Sequence, residues 1–442
     1  MAGKKIKKEA VIIPADLFFY PIPLTQPDQW LTQEDLYEHF EPPKGRKEYM
    51  GNKEEFISFE YGIATIKLKL INDSEYLLYL HVEKEELHIA CTCGMPDEKL
   101  CFHAFIGLYN LTWLSKKFDC QTLYWPRFYK DNTAKKFLDV RITRGNLYVE
   151  AKPEYGAVYR SGIGLVNYSF PTLIEHATNT LSTKAGDTNT YAYALCYAPD
   201  PFRDRHYPVL IPFYGKTNKS GSNVDNFSLF VLPDKGSEPN NNHPYWQQLN
   251  DFSKRMYELM RPLTYKSDLG DKELWQQAKE TIFDLWQKAL PLLINCPYNQ
   301  SYLLYALRYL REKPMKGSMK PCRYCLERPV LTFILSTHGE YLKLSVEVTV
   351  GSRVILVQHK PHFFILDEQT GYCYLIRSIQ DDVLLNWMVD NNNQITVLKD
   401  DFVEFDNDII SKLASSYPVF FSDRSKKRFD YNYELVKDKL ES

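Results

Sequence analysis

Hydrophobic and polar positions along the chain fall into stretches of period two and stretches of helical period. Ile66, Leu68 and Leu70 alternate with Lys67 and Lys69, a turn is signalled at Asn72-Asp73-Ser74, and Tyr76 to Leu80 forms the second arm of a hairpin. A second turn at Val82 to Glu86 leads into Leu87, Ile89, Cys91 and Cys93, whose shared parity predicts one face of an extended strand. Gly94 and Pro96 open a loop, after which Ala104, Leu108, Leu111 and Leu114 recur at helical spacing. The local prediction is strand, strand, loop, helix, preceded by a short helix near Thr32 to Phe40.

Further along, the pattern predicts strands at Phe137 to Ile142 and Leu147 to Ala151 around a Gly145-Asn146 turn, and others at Tyr191 to Tyr197, Val209 to Tyr214 and Phe227 to Leu232. The Gly/Ser/Asn-rich stretch Lys216 to Asp225 reads as a mobile loop. Long helices are expected over 240–312: Trp275, Ala278, Ile282, Trp286, Ala289 and Leu293 share one face, and a second helix is expected over Ser301 to Leu310. From Pro329 the pattern returns to strand. Leu342, Leu344, Val346, Val348 and Val350 alternate with polar residues, and Phe363 to Leu366 and Tyr372 to Ile376 flank a Gln369-Thr370-Gly371 turn. Helices at Asp381 to Val389 and Asp408 to Ala414 complete the reading. The expected class is α+β and multidomain: an N-terminal module 1–125, a mixed α/β middle 126–320 and a β-rich antiparallel module 321–442.

Length agrees, since 442 residues suffice for about three domains. Charge excludes a globally basic molecule: 54 Lys and Arg stand against 56 Asp and Glu, so contact with nucleic acid or an anionic membrane has to be local. Lys4, Lys5, Lys7 and Lys8 imitate the start of a signal peptide, but Pro14, Asp16, Pro21 and Pro23 interrupt the apolar stretch beyond them. No apolar run reaches the roughly 18 residues of a membrane span. The expectation is a soluble, cytoplasmic protein.

The nine cysteines are odd in number, and Cys91-x-Cys93 and Cys322-x-x-Cys325 are spaced too tightly for a secreted disulfide framework. Cys91, Cys93, Cys101 and His103 supply three sulfurs and one imidazole within thirteen residues, enough to close a tetrahedral zinc shell. Cys101 and His103 fall where a helix begins, and a helix N-terminus favours thiolate. Two plainer readings compete: small buried thiols in a reduced core, and a redox dithiol, which this set does not suit because it leaves no resolving pair. A closed shell offers no open position for water or substrate, so the expected Zn2+ is structural. Cys322 and Cys325 are half of a second metal set, with Cys373, His338, His359 or His362 as remote partners, or two ordinary thiols.

The spacing C-x-C-x7-C-x-H in its strand-strand-helix setting, over about 76–115, resembles the SWIM zinc finger. The order of a finger, a variable middle and a β-rich segment near Pro329 to Ile376 resembles the N-terminal region of bacterial Snf-type helicase-like ATPases, whose β-rich segment is called the helicase-associated domain. In that family the ATPase lobes come next, and here no such lobes are present. The resemblance therefore implies an accessory subunit that binds a separately encoded Snf-type ATPase or another protein, or DNA beside it.

Catalytic motifs do not assemble. Gly215-Lys216-Thr217 lacks the earlier glycine of a phosphate loop, since position 210 is Leu210, and Asp367-Glu368-Gln369 reads as a hairpin turn. No G-x-S-x-G, H-E-x-x-H or dinucleotide fingerprint occurs, so no enzyme is expected; a nuclease-like site without a recognised motif is the alternative. From His81 to His103 five acids face two lysines, which makes the finger a poor phosphate binder. Cations gather instead in what reads as a basic interdomain linker, Arg308, Arg311, Lys313, Lys316, Lys320 and Arg323 against Glu312 alone, and at Arg424, Lys426, Lys427 and Arg428. Direct DNA contact through the first cluster is the second functional expectation.

Overall fold

The computed structural model describes residues 17–25, 29–40, 52–71, 74–94, 99–130, 132–162, 189–199, 206–221, 223–233, 244–263, 272–423 and 427–441. Lys4, Lys5, Lys7, Lys8, Pro96, Arg424 and Lys426 lie outside them. Contacts divide the chain into two units: 1–166 with 395–405, and 167–394 with 406–442. The expected module end at 125 falls inside the first unit and that at 320 inside the second. The class is α+β, with antiparallel and mixed sheets.

Unit 1 is built on β1 (Tyr20–Pro23), β2 (Trp30–Thr32), α1 (Gln33–His39), β3 (Lys53–Glu60), β4 (Ile63–Lys69), β5 (Glu75–Val82), β6 (Glu86–Cys91), α2 (Phe102–Thr112), β7 (Lys117–Asp119), α3 (Pro126–Lys130), β8 (Leu138–Thr143), β9 (Asn146–Ala151) and β10 (Ala157–Val158). Strands β3 to β6 form an antiparallel meander with β1 added beside β6. Tyr61 and Gly62, both at positive φ, make the two-residue turn between β3 and β4. Leu78, Leu80 and Val82 of β5 and Leu87, Ile89 and Cys91 of β6 are buried on one face, and Tyr79, His81 and Ala90 are buried on the other, so this part of the sheet is covered on both sides. Helix α2 packs on this sheet with Ala104, Ile106 and Leu108 buried, while the buried Phe105 ring stacks on Phe40 with centroids 4.5 Å apart. A Cβ at Gly107 would collide with the Leu78 side chain, so the close approach of helix to sheet depends on that glycine.

The β8–β9 hairpin belongs with this sheet: Phe56 N–H donates to Gly145 O at 2.8 Å. The returning segment adds β21 (Gln394–Leu398), parallel to β10, and α7 (Phe402–Phe405). Unit 1 therefore extends well past 125, because these pairings are remote in sequence.

Unit 2 contains β11 (Asn189–Tyr197), β12 (Val209–Thr217), β13 (Val224–Phe230), α4 (Pro244–Leu263), α5 (Lys272–Leu293), β14 (Asn299–Leu303), β15 (Met319–Cys325), β16 (Val330–His338), β17 (Tyr341–Val350), β18 (Arg353–Ile355), β19 (Phe364–Asp367), β20 (Tyr372–Leu375), α6 (Ile379–Asp390), α8 (Ser411–Ala414), β22 (Val419–Ser422), β23 (Arg428–Asp430) and α9 (Tyr433–Glu441). One seven-stranded sheet runs β13-β12-β11-β14-β15-β20-β19. It is covered by α4 and α5, with Ser253 Oγ donating to Leu210 O at 2.6 Å and Trp286 Nε1 donating to Pro208 O at 2.8 Å. A second layer places β16 between β17 and β22, with β18 on β17 and β23 on β22.

Four expectations change here. Residues 299–303 form β14 rather than the start of a helix over 301–310; Asn299 to Tyr302 are buried without interruption, and a strand covered on both faces shows no alternation. The stretch 216–225 is a strand end and tight turn, closed by Asn218 N–H on Asn223 O at 2.7 Å, among its described residues. The basic stretch 308–323 is no linker, since it joins β14 to β15, adjacent strands of one sheet. The 321–442 stretch is also not purely antiparallel, because β15 pairs β20 and β16 pairs β22 in parallel.

Candidate metal centre

Cys91 closes strand β6, pairing with Leu78 of β5. The strand stops there. Thr92 leaves the ladder by exchanging bonds with Leu77, its N–H donating to Leu77 O and its Oγ1 accepting Leu77 N–H, both at 3.0 Å. Gly94 N–H donates back to Cys91 O, and Gly94 takes a φ of 73°, which glycine adopts without strain. Cys93 thus lies in a turn and is exposed, not on the buried strand face its parity predicted. The turn swings its sulfur to the side where Cys91 points.

Cys101 is the N-cap of α2, its Sγ accepting Ala104 N–H at 3.3 Å. His103 stands one turn position further, its ring stacked on Tyr76 with centroids 3.6 Å apart and planes 21° apart. The four donor atoms, one each from Cys91, Cys93, Cys101 and His103, all lie within 4.8 Å of one another. In a tetrahedral zinc thiolate with bonds of about 2.3 Å the sulfurs sit roughly 3.8 Å apart, so this set could close on an ion by small side-chain shifts.

The electrostatics of the cluster favour a cation. The hydrogen bond with Cys91 pulls the Cys101 thiol down to about 4 against the opposing effect of burial, helped by His103 and the Ala104 N–H. Cys91 moves far up, first because it donates to Cys101 and then because it is buried, and burial raises Cys93 as well. One proton thus serves two sulfurs. A divalent ion held by Cys91, Cys93 and Cys101 would take the place of that shared proton and stabilise the thiolates together. His103 Nδ1 is buried without a hydrogen-bond partner, which is rare for a ring nitrogen, and its chemistry fits a metal-binding histidine or one bonded through its ligand shell.

The reading of simple buried thiols describes other cysteines better. Cys196 and Cys296 are buried singly, and burial alone drives both upward, Cys296 to about 12. Cys322 and Cys325 do not build a second centre: Cys322 is buried and hydrogen-bonded to Cys373, and among the described residues the only group of three or more metal-type donors is the Cys91 set. Asp367 behaves as the hairpin-turn residue expected of it, its Oδ1 accepting Gln369 N–H at 3.0 Å. Arg428, counted with the C-terminal cations, is committed to both oxygens of Glu347 at 2.9 and 2.6 Å.

Two contributors to the candidate metal centre escaped sequence reasoning. Tyr76 supports the histidine from the neighbouring strand, and only the β4–β5–β6 register reveals it. Gly107 sets the depth of α2, and a lone glycine in a helical pattern carries no such message by itself. No helix among the described residues is long and apolar enough to cross a membrane. Comparison with protein-family models, with curated proteins and with solved structures returns no match.

Proposed function

We propose that this chain is a non-catalytic, zinc-binding accessory protein in which Cys91, Cys93, Cys101 and His103 hold one structural Zn2+. The observation that carries this reading is the convergence of three sulfurs and an imidazole within 4.8 Å at the junction of a strand end and a helix start. Four protein ligands fill a zinc shell, so the ion fixes geometry and leaves no position for a substrate. The ion would tie the β6 turn to α2. The four-donor set and its spacing support the SWIM-type reading, and with it a role in the reducing interior of a cell. There the zinc-held surface docks a separately encoded Snf-type helicase-like ATPase.

The test is reconstitution. Full-length zinc-loaded protein mixed with a Snf-type ATPase from the same genome should co-elute in size-exclusion chromatography, and the His103→Ala protein should not. Wild-type protein that binds its zinc but never co-elutes with such an ATPase overturns the partner assignment and leaves the metal centre standing.

A further inference from the structure

The connection between β14 and β15, residues 304–318, is pinned at several points. Leu304 N–H donates to Tyr197 O at 2.9 Å, Phe230 N–H donates to Glu312 O at 2.7 Å, and Ser318 N–H donates to Met315 O at 3.0 Å. Leu304, Leu307, Pro314 and Met319 turn inward and are buried. Everything else of note turns outward.

The outward set combines two kinds of side chain. Arg308, Arg311, Lys313, Lys316, Lys320 and Arg323 are all exposed. Among the described residues none of these six cations enters an ion pair, whereas Lys279, Lys288, Arg353, Lys360 and Arg428 do. Among them stand Tyr305 at 56% exposure, Tyr309 at 57% and Met315 at 44%. The Arg308 guanidinium lies over the Tyr309 ring, 4.8 Å from its centroid.

A solvated loop explains the cations but not the rings. Apolar surface is normally withdrawn where a core is near, and here Leu304 and Leu307 are withdrawn while the tyrosines between and beyond them are not. Exposed aromatic faces among unpaired cations offer stacking to bases and charge to phosphates. A duplex hides its base faces, whereas a single strand presents them.

We propose that this face of unit 2 binds single-stranded nucleic acid, with Tyr305 and Tyr309 stacking on bases and Arg308, Arg311, Lys313 and Lys316 contacting the backbone. The inference rests on unit 2 alone and stands or falls apart from the zinc centre. An anionic backbone can come from DNA or RNA, and the single-strand chemistry is shared.

Fluorescence anisotropy of the full chain with labelled dT20, rU20 and a mixed-sequence 20-bp duplex tests it. Either single strand should bind more tightly than the duplex, and the preferred strand names the polymer. With about four phosphate contacts, affinity should fall roughly 50-fold between 50 and 200 mM salt. Tyr305→Ala/Tyr309→Ala should weaken binding about 10-fold or more at an unchanged salt slope, because stacking is lost and charge is kept. Arg308→Gln/Arg311→Gln/Lys313→Gln should reduce the slope by about 2. Melting curves equal to wild type confirm that the variants are folded. The proposal is overturned by equal affinity for the duplex, by indifference to the tyrosine changes, by equal competition from polyglutamate, or by no binding at 50 mM salt.

Discussion

Two ionisable side chains, His206 buried and Glu54 half-buried, give unit 2 and unit 1 opposite responses to pH. His206 is 1% exposed, with neither ring nitrogen hydrogen-bonded, and burial lowers it from 6.5 to about 4. The folded state then binds fewer protons than the unfolded state, so its contribution is complete above pH 6.5 and is lost as pH falls towards 4, at up to ~1.4 kcal/mol per pH unit. Glu54 of β3 runs the other way. Burial raises it from 4.5 to about 7 against a hydrogen bond from Asn110, so its contribution is complete below pH 4.5 and is lost as pH rises through 7. Urea titrations from pH 4 to 8 should show His206→Phe flattening the acidic limb and Glu54→Gln flattening the fall between 4.5 and 7. Wild-type pH profiles in both variants would show that neither group titrates as its burial requires. The grouping of Cys91, Cys93, Cys101 and His103 was legible in the sequence at this scale because it depends on donor type and spacing. His206 and Glu54 were not, since burial is a property of the fold.

Among elements, strands with one buried face announced themselves. Leu342 to Val350 became β17, and Phe137 to Ala151 became the β8–β9 hairpin with its positive-φ Arg144-Gly145 turn. Strand β14 did not, because both its faces are covered, and the basic 308–323 stretch imitated a linker because Pro314 and Gly317 fall in the connection between two paired strands and Pro321 lies within β15 itself. Remote ties are equally silent in sequence. Arg127 of α3 reaches the returning segment, its Nε donating to Asp401 Oδ1 at 2.5 Å and its Nη2 to Asp400 O at 3.0 Å. Asp401 is 2% exposed, and burial already raises it despite Arg127. Arg127→Ala strands that carboxylate and should cost about 2–3 kcal/mol in denaturant unfolding. The double variant Arg127→Ala/Asp401→Asn should recover part of the loss. Stability unchanged by Arg127→Ala would mean that the pair does not hold the segment.

For the whole molecule, the chain passes from one unit to the other and back, so that neither is a continuous stretch of sequence. The contact units differ from modules ending at 125 and 320 because they follow the β3–β8–β9 grouping and the β14–β15 pairing, which composition does not carry. What composition and spacing did yield was a local chemical unit, the set of three thiols and one imidazole that could hold a metal ion and on which the proposed function rests. The most direct test is metal content by mass spectrometry on protein purified without chelator, beside Cys101→Ala and His103→Ala. One zinc per wild-type chain is predicted, with less than a tenth of that in either variant and a melting temperature lower by about 10 °C. Folded wild-type protein without zinc, melting where the variants melt, would contradict the assignment.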